Sequence, residues 1–246
     1  MTTGIHIICI ILILSIVIFL LGCVTYTLRR VYLSMRTDLV QQNRMIRLVA
    51  TGLSLWLLII AVLSIGGYFS NYRYLPPRLI LFGLFIPLVF TVFLLFSKSF
   101  TVILRRIPPS WLIKVQSYRI VLELMLILAF LGDLLPFQLT FLGFNMNIVA
   151  GITALFAGSI FFRKGRFLKP ETVIWNIFGV LLLLMVVFIA IISIPAHYRI
   201  FMNEPSSKII SSFPFIWIPT FLVPLSLAFH LFSIKQVFIK DLRPFE

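Results

Sequence analysis

Acidic residues are scarce in this chain: Asp and Glu number 7 among 246 residues, against 21 Lys and Arg, and all charged residues together make up only 11%. A soluble domain carries about a quarter of its residues as Asp, Glu, Lys and Arg, so the composition excludes a water-soluble globule. Cysteine is limited to Cys9 and Cys23. Both fall on one apolar stretch, where helical rise holds them about 21 Å apart; no intramolecular disulfide is possible, and both read as buried apolar filler. Histidine is limited to His6, His197 and His230, and there is no HExxH, Gly-rich phosphate loop, GxSxG or CxxC. The familiar metalloprotease, nucleotide-binding, serine-hydrolase and dithiol chemistries therefore have no foothold. His6 and His197 are expected on one side of a membrane and His230 near the other, which excludes a three-histidine site; no metal and no cofactor are expected.

What the chain has in quantity is apolar sequence: 61% hydrophobic residues and a mean hydropathy of +1.13. The apolar residues gather in runs near 20 residues long rather than in amphipathic stripes, so they face lipid as well as each other. Seven segments emerge, at about 4–28, 49–69, 79–97, 119–135, 147–162, 172–194 and 213–234. The fourth and fifth are short for a hydrocarbon core of about 30 Å. Continuous rather than alternating apolarity excludes membrane strands. The expected fold is all-α, one membrane domain of seven transmembrane helices over residues 1–246.

The basic residues sort by side. Arg29, Arg30, Arg36, Arg44 and Arg47 precede the second segment, and Lys98, Arg105, Arg106, Lys114 and Arg119 lie between the third and fourth. Arg163, Lys164, Arg166 and Lys169 separate the fifth and sixth, and Lys235, Lys240 and Arg243 close the chain. Only Arg73, Arg78, Arg199 and Lys208 fall on the other side. Seventeen of 21 basic residues on one side predict an outside N-terminus, a cytoplasmic C-terminus and an odd number of spans in an inner membrane. Tyr26, Tyr32 and Tyr118 near inner ends, with Tyr68, Tyr72, Tyr74 and Tyr198 near outer ends, fit an aromatic belt. The +14 charge is thus a topological signal, and no nucleic-acid partner is expected. A cleaved leader ending at Leu20-Leu21-Gly22-Cys23 is disfavoured, because the positive charges follow the segment instead of preceding it. The basic connection at 29–48 reads as solvated topology signal, with membrane-surface contact as its alternative. Pro108-Pro109 breaks the chain ahead of an interfacial stretch anchored by Trp111.

Polar residues inside the apolar segments are the functional candidates. Glu123 lies about 4–5 Å inside the inner end of the fourth segment, with Arg119 four residues earlier as an i, i+4 ion-pair partner and Gln116 on the same stripe. Asn176 and His230 lie at a similar depth, His230 sharing a stripe with Pro219, Ser226 and Ser233. If their helices face one centre, Gln116, Arg119, Glu123, Asn176 and His230 form a polar chamber open to the cytoplasm, with Glu123 and His230 exchanging protons. Structural snorkelling of the Arg119–Glu123 pair is the competing reading. A second, outer cluster is expected from Asp133, Thr140, Asn145 and Asn147, where capping of the fifth helix by Asn147 is the simpler account. Ala150, Ala154 and Gly158, with Gly151 and Ala157 beside them, form a close-packing face expected at the bundle centre.

Several motifs carry a resemblance. Pro109-Ser110-Trp111-Leu112-Ile113 with Gln116, Arg119 and Glu123-Leu124 is the first; Thr140-Phe141, Gly143, Asn145, Ile148 and Gly151-Ile152-Thr153-Ala154 form the second. The third comprises Trp175-Asn176, Gly179, Phe213-Pro214-Phe215, the run from Ile218 to Ser226, His230-Leu231 and Gln236. Over about residues 105–240 these resemble a widespread family of small bacterial seven-span inner-membrane proteins with no settled activity. The resemblance implies architecture rather than mechanism. The expected function is binding or transport of a small solute or lipid, with membrane lipids and a small-molecule ligand as partners and room for a homo-oligomer. An intramembrane enzyme acting on a lipid ranks lower for want of a nucleophile or metal set. A membrane assembly or sensory subunit would be favoured by small residues facing lipid.

Overall fold

The computed structural model describes residues 2–35, 38–73, 77–163 and 167–244. Arg36, Tyr74, Lys164 and Arg166, which enter the charge and aromatic patterns, lie outside the described residues. All regular structure among the described residues is helical. In chain order the helices are α1 (Thr2–Ser34), α2 (Leu39–Ile65), α3 (Arg78–Phe96), α4 (Lys98–Leu104), α5 (Pro109–Lys114), α6 (Tyr118–Leu131), α7 (Asn147–Ile160), α8 (Lys169–Ile192) and α9 (Ile218–Phe238). Five of them, α1, α2, α3, α8 and α9, are long and apolar enough to cross a membrane. The fourth and fifth expected spans are shorter: α6 and α7 have 14 residues each, about 21 Å of helix. A 3₁₀ turn over Val115–Ser117 joins α5 to α6, so the helical run begins at Pro109, ten residues before the expected start.

Most of the basic connection at 29–48 is helical. No Gly or Pro stands between Gly22 and Gly52, so nothing in the sequence stops either helix from extending into this stretch. α1 continues to Ser34 and α2 starts at Leu39, leaving Arg29, Arg30, Arg44 and Arg47 on helical extensions. The last expected span is also displaced: residues 213–216 form turns, and the helix runs from Ile218 on to Phe238.

α9 is the most enclosed of the long helices, packing on α3, α5 and α8. The small-residue face of α7 points inward as expected, but from the periphery. A Cβ on Gly151 would stand 3.0 Å from Ile120, and one on Gly158 would stand 2.5 Å from Cγ of Lys114. The opposite face, with Ile152, Leu155, Phe156 and Ile160, is exposed. This burial against α5 and α6 removes the observation that would have favoured an assembly subunit docking through that face.

Both α3 and α9 contain a π-helical turn, Leu81–Phe85 and Ile218–Leu222 respectively, and in each a proline follows two residues later, Pro87 and Pro224. A proline inside a helix offers no N–H and its ring crowds the carbonyl four residues back, so the preceding turn widens. The two widened turns meet: a Cβ on Gly83 would stand 2.9 Å from the Pro219 carbonyl oxygen. π-turns are enriched at functional sites, and this pair flanks the cavity described below.

One end of the bundle is covered by the links at 132–146 and 193–217. Gln138 ties them, donating to Ser193 at 3.1 Å and accepting from Asn203 at 2.9 Å. Ser64 donates to the Ser211 carbonyl at 2.8 Å, and Tyr72 donates to the Ser211 hydroxyl at 2.9 Å. Arg199 and Glu204, 2.8 Å apart, form the only ion pair among the described residues. The Arg199 guanidinium and the Ser206 N–H hold the Glu204 carboxyl below the usual carboxylate range. At the other end Gln236 donates to the carbonyls of Leu104 and Ile107 at 2.8 and 2.9 Å, pinning the Pro108 break against α9.

Candidate functional site

Arg119 lies on the buried face of α6, 2% exposed, and one turn along the helix Glu123 is buried beside it. The expected ion pair between them does not form. Nε of Arg119 donates to the Ser226 hydroxyl at 3.0 Å, Nη1 donates to Oδ1 of Asn147 at 3.2 Å, and Nη2 contacts both Ser226 and Nε2 of His230, the latter at 3.2 Å. Glu123 instead accepts from Asn145, whose Nδ2 lies 2.9 and 2.8 Å from the two carboxyl oxygens.

Two asparagines separate the charges and connect them. Nδ2 of Asn147 donates to Oδ1 of Asn145 at 2.9 Å, so every hydrogen bond along Arg119, Asn147, Asn145 and Glu123 points from cation to anion. Chains of aligned hydrogen bonds polarise one another in a low-dielectric interior. A second chain leaves Arg119 through His230. Nδ2 of Asn176 donates to the Thr172 carbonyl at 2.8 Å and to Ser233 at 2.9 Å, so its Oδ1 is the acceptor facing Nδ1 of His230 at 2.9 Å. His230 therefore carries its proton on Nδ1 and accepts from Arg119 through Nε2. Adding a second proton would set an N–H against the Arg119 N–H, so His230 is a fixed acceptor here and not the proton-exchanging group expected from sequence. Ser226 completes the junction by donating to Oε1 of Gln116 at 2.6 Å, while Nε2 of Gln116 donates to the Ser226 carbonyl at 3.0 Å.

The five inner candidates, Gln116, Arg119, Glu123, Asn176 and His230, are thus brought into one buried network. The outer cluster is divided. Asn145 and Asn147 belong to this network, because the link at 132–146 folds back into the bundle; Gly143 lets the link close tightly on itself, since a Cβ there would stand 2.5 Å from the Phe137 carbonyl oxygen. Asn147 does not cap α7: Met146 stands at the N-cap without a side-chain hydrogen bond, and the Asn147 backbone N–H donates to Oδ1 of Asn145 at 3.2 Å. Asp133 is exposed at a turn with φ of 56°, and Thr140, although buried, closes a local turn by donating to the Phe137 carbonyl at 2.8 Å. Neither joins the network.

Besides Ser233, which accepts from Asn176, three contributors were not among the expected site residues. Ser226 is the junction, Gly179 makes room for the His230 ring, and Tyr118, expected at a membrane interface, is buried and donates to the Leu222 carbonyl at 2.9 Å. The polar stripe of α9 contained Ser226, four residues before His230; that spacing was the available signal.

Above the network lies a cavity of about 110 Å³ between α3, α6, α8 and α9. Its polar lining comes from Arg119, Glu123, Asn145, Asn147 and Tyr118, and the rest is apolar. It extends to Leu135, Leu139, Ile194 and Ile210, on the links expected outside. A chamber opening toward the opposite, basic end is not what the residues form.

Fold and site together define a class: an all-helical protein with five helices suited to crossing a membrane, enclosing a polar network under an apolar cavity. The chain belongs to the family described as Domain of unknown function (DUF8737), whose profile matches residues 76–238. Every residue of the network lies within the matched segment, while α1 and α2 lie before it. Neither a curated protein nor a solved structure matches the chain.

Proposed function

We propose that this protein is a multi-pass inner-membrane protein that binds a small amphipathic molecule in the cavity above Arg119 and Glu123. The carrying observation is the pairing of an apolar cavity with a polar floor supplied by one fully buried network. Ionisable residues inside a membrane segment are costly and mark ligand or ion pathways. Transport is the activity that α3 and α9 suit, since interrupted helices at a buried site are how transporters bend around a ligand. Catalysis gains no support from Ser226, whose oxygen is engaged by Arg119 and Gln116. The test is lipid and metabolite profiling of material co-purified with wild type and with Glu123→Gln: a species enriched on wild type and depleted on the variant is expected, and identical profiles would overturn the reading.

The chain crosses the membrane seven times in this proposal, α6 and α7 included, with the N-terminus outside as the basic residues require. In a background lacking Cys9 and Cys23, cysteines placed at Asn71, Leu142 and Glu204 should react with an impermeant maleimide in intact cells. Those placed at Lys98, Arg163 and Lys240 should react only after permeabilisation. The reverse pattern would overturn the orientation, and Leu142 and Lys98 labelling alike would remove the crossing by α6.

A further inference from the structure

Resting on the binding reading above, the geometry points to the class of ligand and to its route: we infer that the cavity takes a membrane lipid whose polar end donates a hydrogen bond to Glu123, admitted sideways from the bilayer between α3 and α8.

The route follows from which walls are closed. Toward the links, Leu135, Leu139, Ile194 and Ile210 line the cavity and are all buried, so no polar path leads in from water on that side. The back wall on α6, including Leu122 and Leu126, is buried as well. The half-exposed lining residues sit only on α3, α8 and α9: Ile80 and Leu84, Val187 and Ile191, Pro219 and Val223 are representative. α9 packs closely on α3 and on α8, whereas α3 and α8 share no extended packing. The opening therefore lies between those two helices with α9 behind it, and every residue at its rim is apolar. Hydrocarbon wets such a mouth; a water-borne solute has no polar group to exchange its hydration for on the way in.

The polar end follows from what the floor has left to offer. Arg119 has five N–H groups, and four are directed at Ser226, Asn147 and His230. The Glu123 carboxyl, 1% exposed and lining the cavity, receives a single side-chain amide, that of Asn145, across both its oxygens. A carboxylate accepts at about four positions, and a buried one short of donors is expensive. The unfilled capacity is thus for a donor. A hydroxyl or amine at the end of a lipid supplies it, whereas an ionised phosphate or carboxylate headgroup has no donor to offer and would face a guanidinium already engaged.

The test uses the full chain in phosphatidylcholine nanodiscs with three photoactivatable probes that share one diazirine-bearing chain: a long-chain alcohol, its methyl ether and the corresponding carboxylic acid. One hydrogen bond to a charged group corresponds to about tenfold or more in occupancy. The alcohol should therefore label peptides from α3 and α8 about tenfold above the ether and the acid. Val187→Trp or Ala190→Trp, at the rim, should abolish that labelling, whereas Leu155→Trp on the exposed face of α7 should not. Equal labelling by alcohol and ether, or preference for the acid, would overturn the donor chemistry while leaving a lipid site in place. Unchanged labelling in both correctly folded rim variants would overturn the lateral route. Failure of every probe to label the cavity would overturn this inference, and co-purification of a ligand that depends on Glu123 would then show the binding reading to stand without it.

Discussion

Replacing Arg119 with leucine is expected to lower the midpoint of thermal unfolding in detergent by about 10 °C or more, the largest effect of any single side-chain deletion in this chain. The side chain is 2% exposed and directs hydrogen bonds to Ser226, Asn147 and His230. Leucine satisfies none of these three groups. Leaving a buried polar group without its partner costs about 1–3 kcal/mol for each group, and in a domain of 150–250 residues each kcal/mol moves the midpoint by about 2–4 °C. Arg119→Lys keeps the charge but loses the fork, since one ammonium cannot face Ser226 and Asn147 in the geometry a planar guanidinium provides; most of the loss should therefore persist. A midpoint for Arg119→Leu within a degree or two of wild type would mean that the network contributes little to the fold.

The second large effect is expected from adding one methyl group. In Gly179→Ala the new Cβ would stand 2.6 Å from Nε2 of His230 and closer still to Cε1. The ring has nowhere to go: Trp175 lies against it at a centroid distance of 5.3 Å, and Nδ1 is held by Asn176 at 2.9 Å. Overpacking of a well-filled core costs about 1–3 kcal/mol and occasionally more, and here the displaced group also releases Arg119 and Asn176. The upper end of that range, about 3 kcal/mol, is expected. His230→Ala should be strongly non-additive with it, because the three atoms nearest the new methyl group all belong to that ring. A double-mutant cycle measures this directly: a coupling of about 2 kcal/mol is expected, and simple additivity would show that the Gly179 contact is not the cause.

The contrast between these residues and the basic tail shows what kind of information the chain carries openly. Polar residues inside apolar runs are rare because each is costly in lipid, so Gln116, Arg119, Glu123, Asn176 and His230 stand out without any structure, and helical rise sets them near one level. Their partners do not stand out. Arg119 and Glu123 are one turn apart on α6, the spacing of an ion pair, yet both reach across the bundle. Their actual partners on the 132–146 link, at the start of α7 and on α9 are at sequence separations of 22 to 111 residues, and no local rule selects among them. Asn145 and Asn147 read as part of an outer cluster and as a helix cap when depth follows straight helices, and a link that folds back breaks that rule.

Composition and periodicity by themselves determined that this is an all-helical chain of membrane character, and they marked the polar positions, because hydrocarbon penalises unpaired backbone and stray charge at every residue alike. They also carried the charge asymmetry on which the proposed orientation rests. Only the tertiary structure decided that Asn145 and Asn147 of the expected outer cluster join the inner network, that Arg119 and Glu123 are linked through two asparagine amides instead of touching, and that the cavity lies toward the links. Those outcomes depend on which helix faces meet and on where Gly83, Gly143 and Gly179 let backbone or ring come close. Such contacts join residues far apart in the chain, and their geometry is set by the packing of the whole bundle.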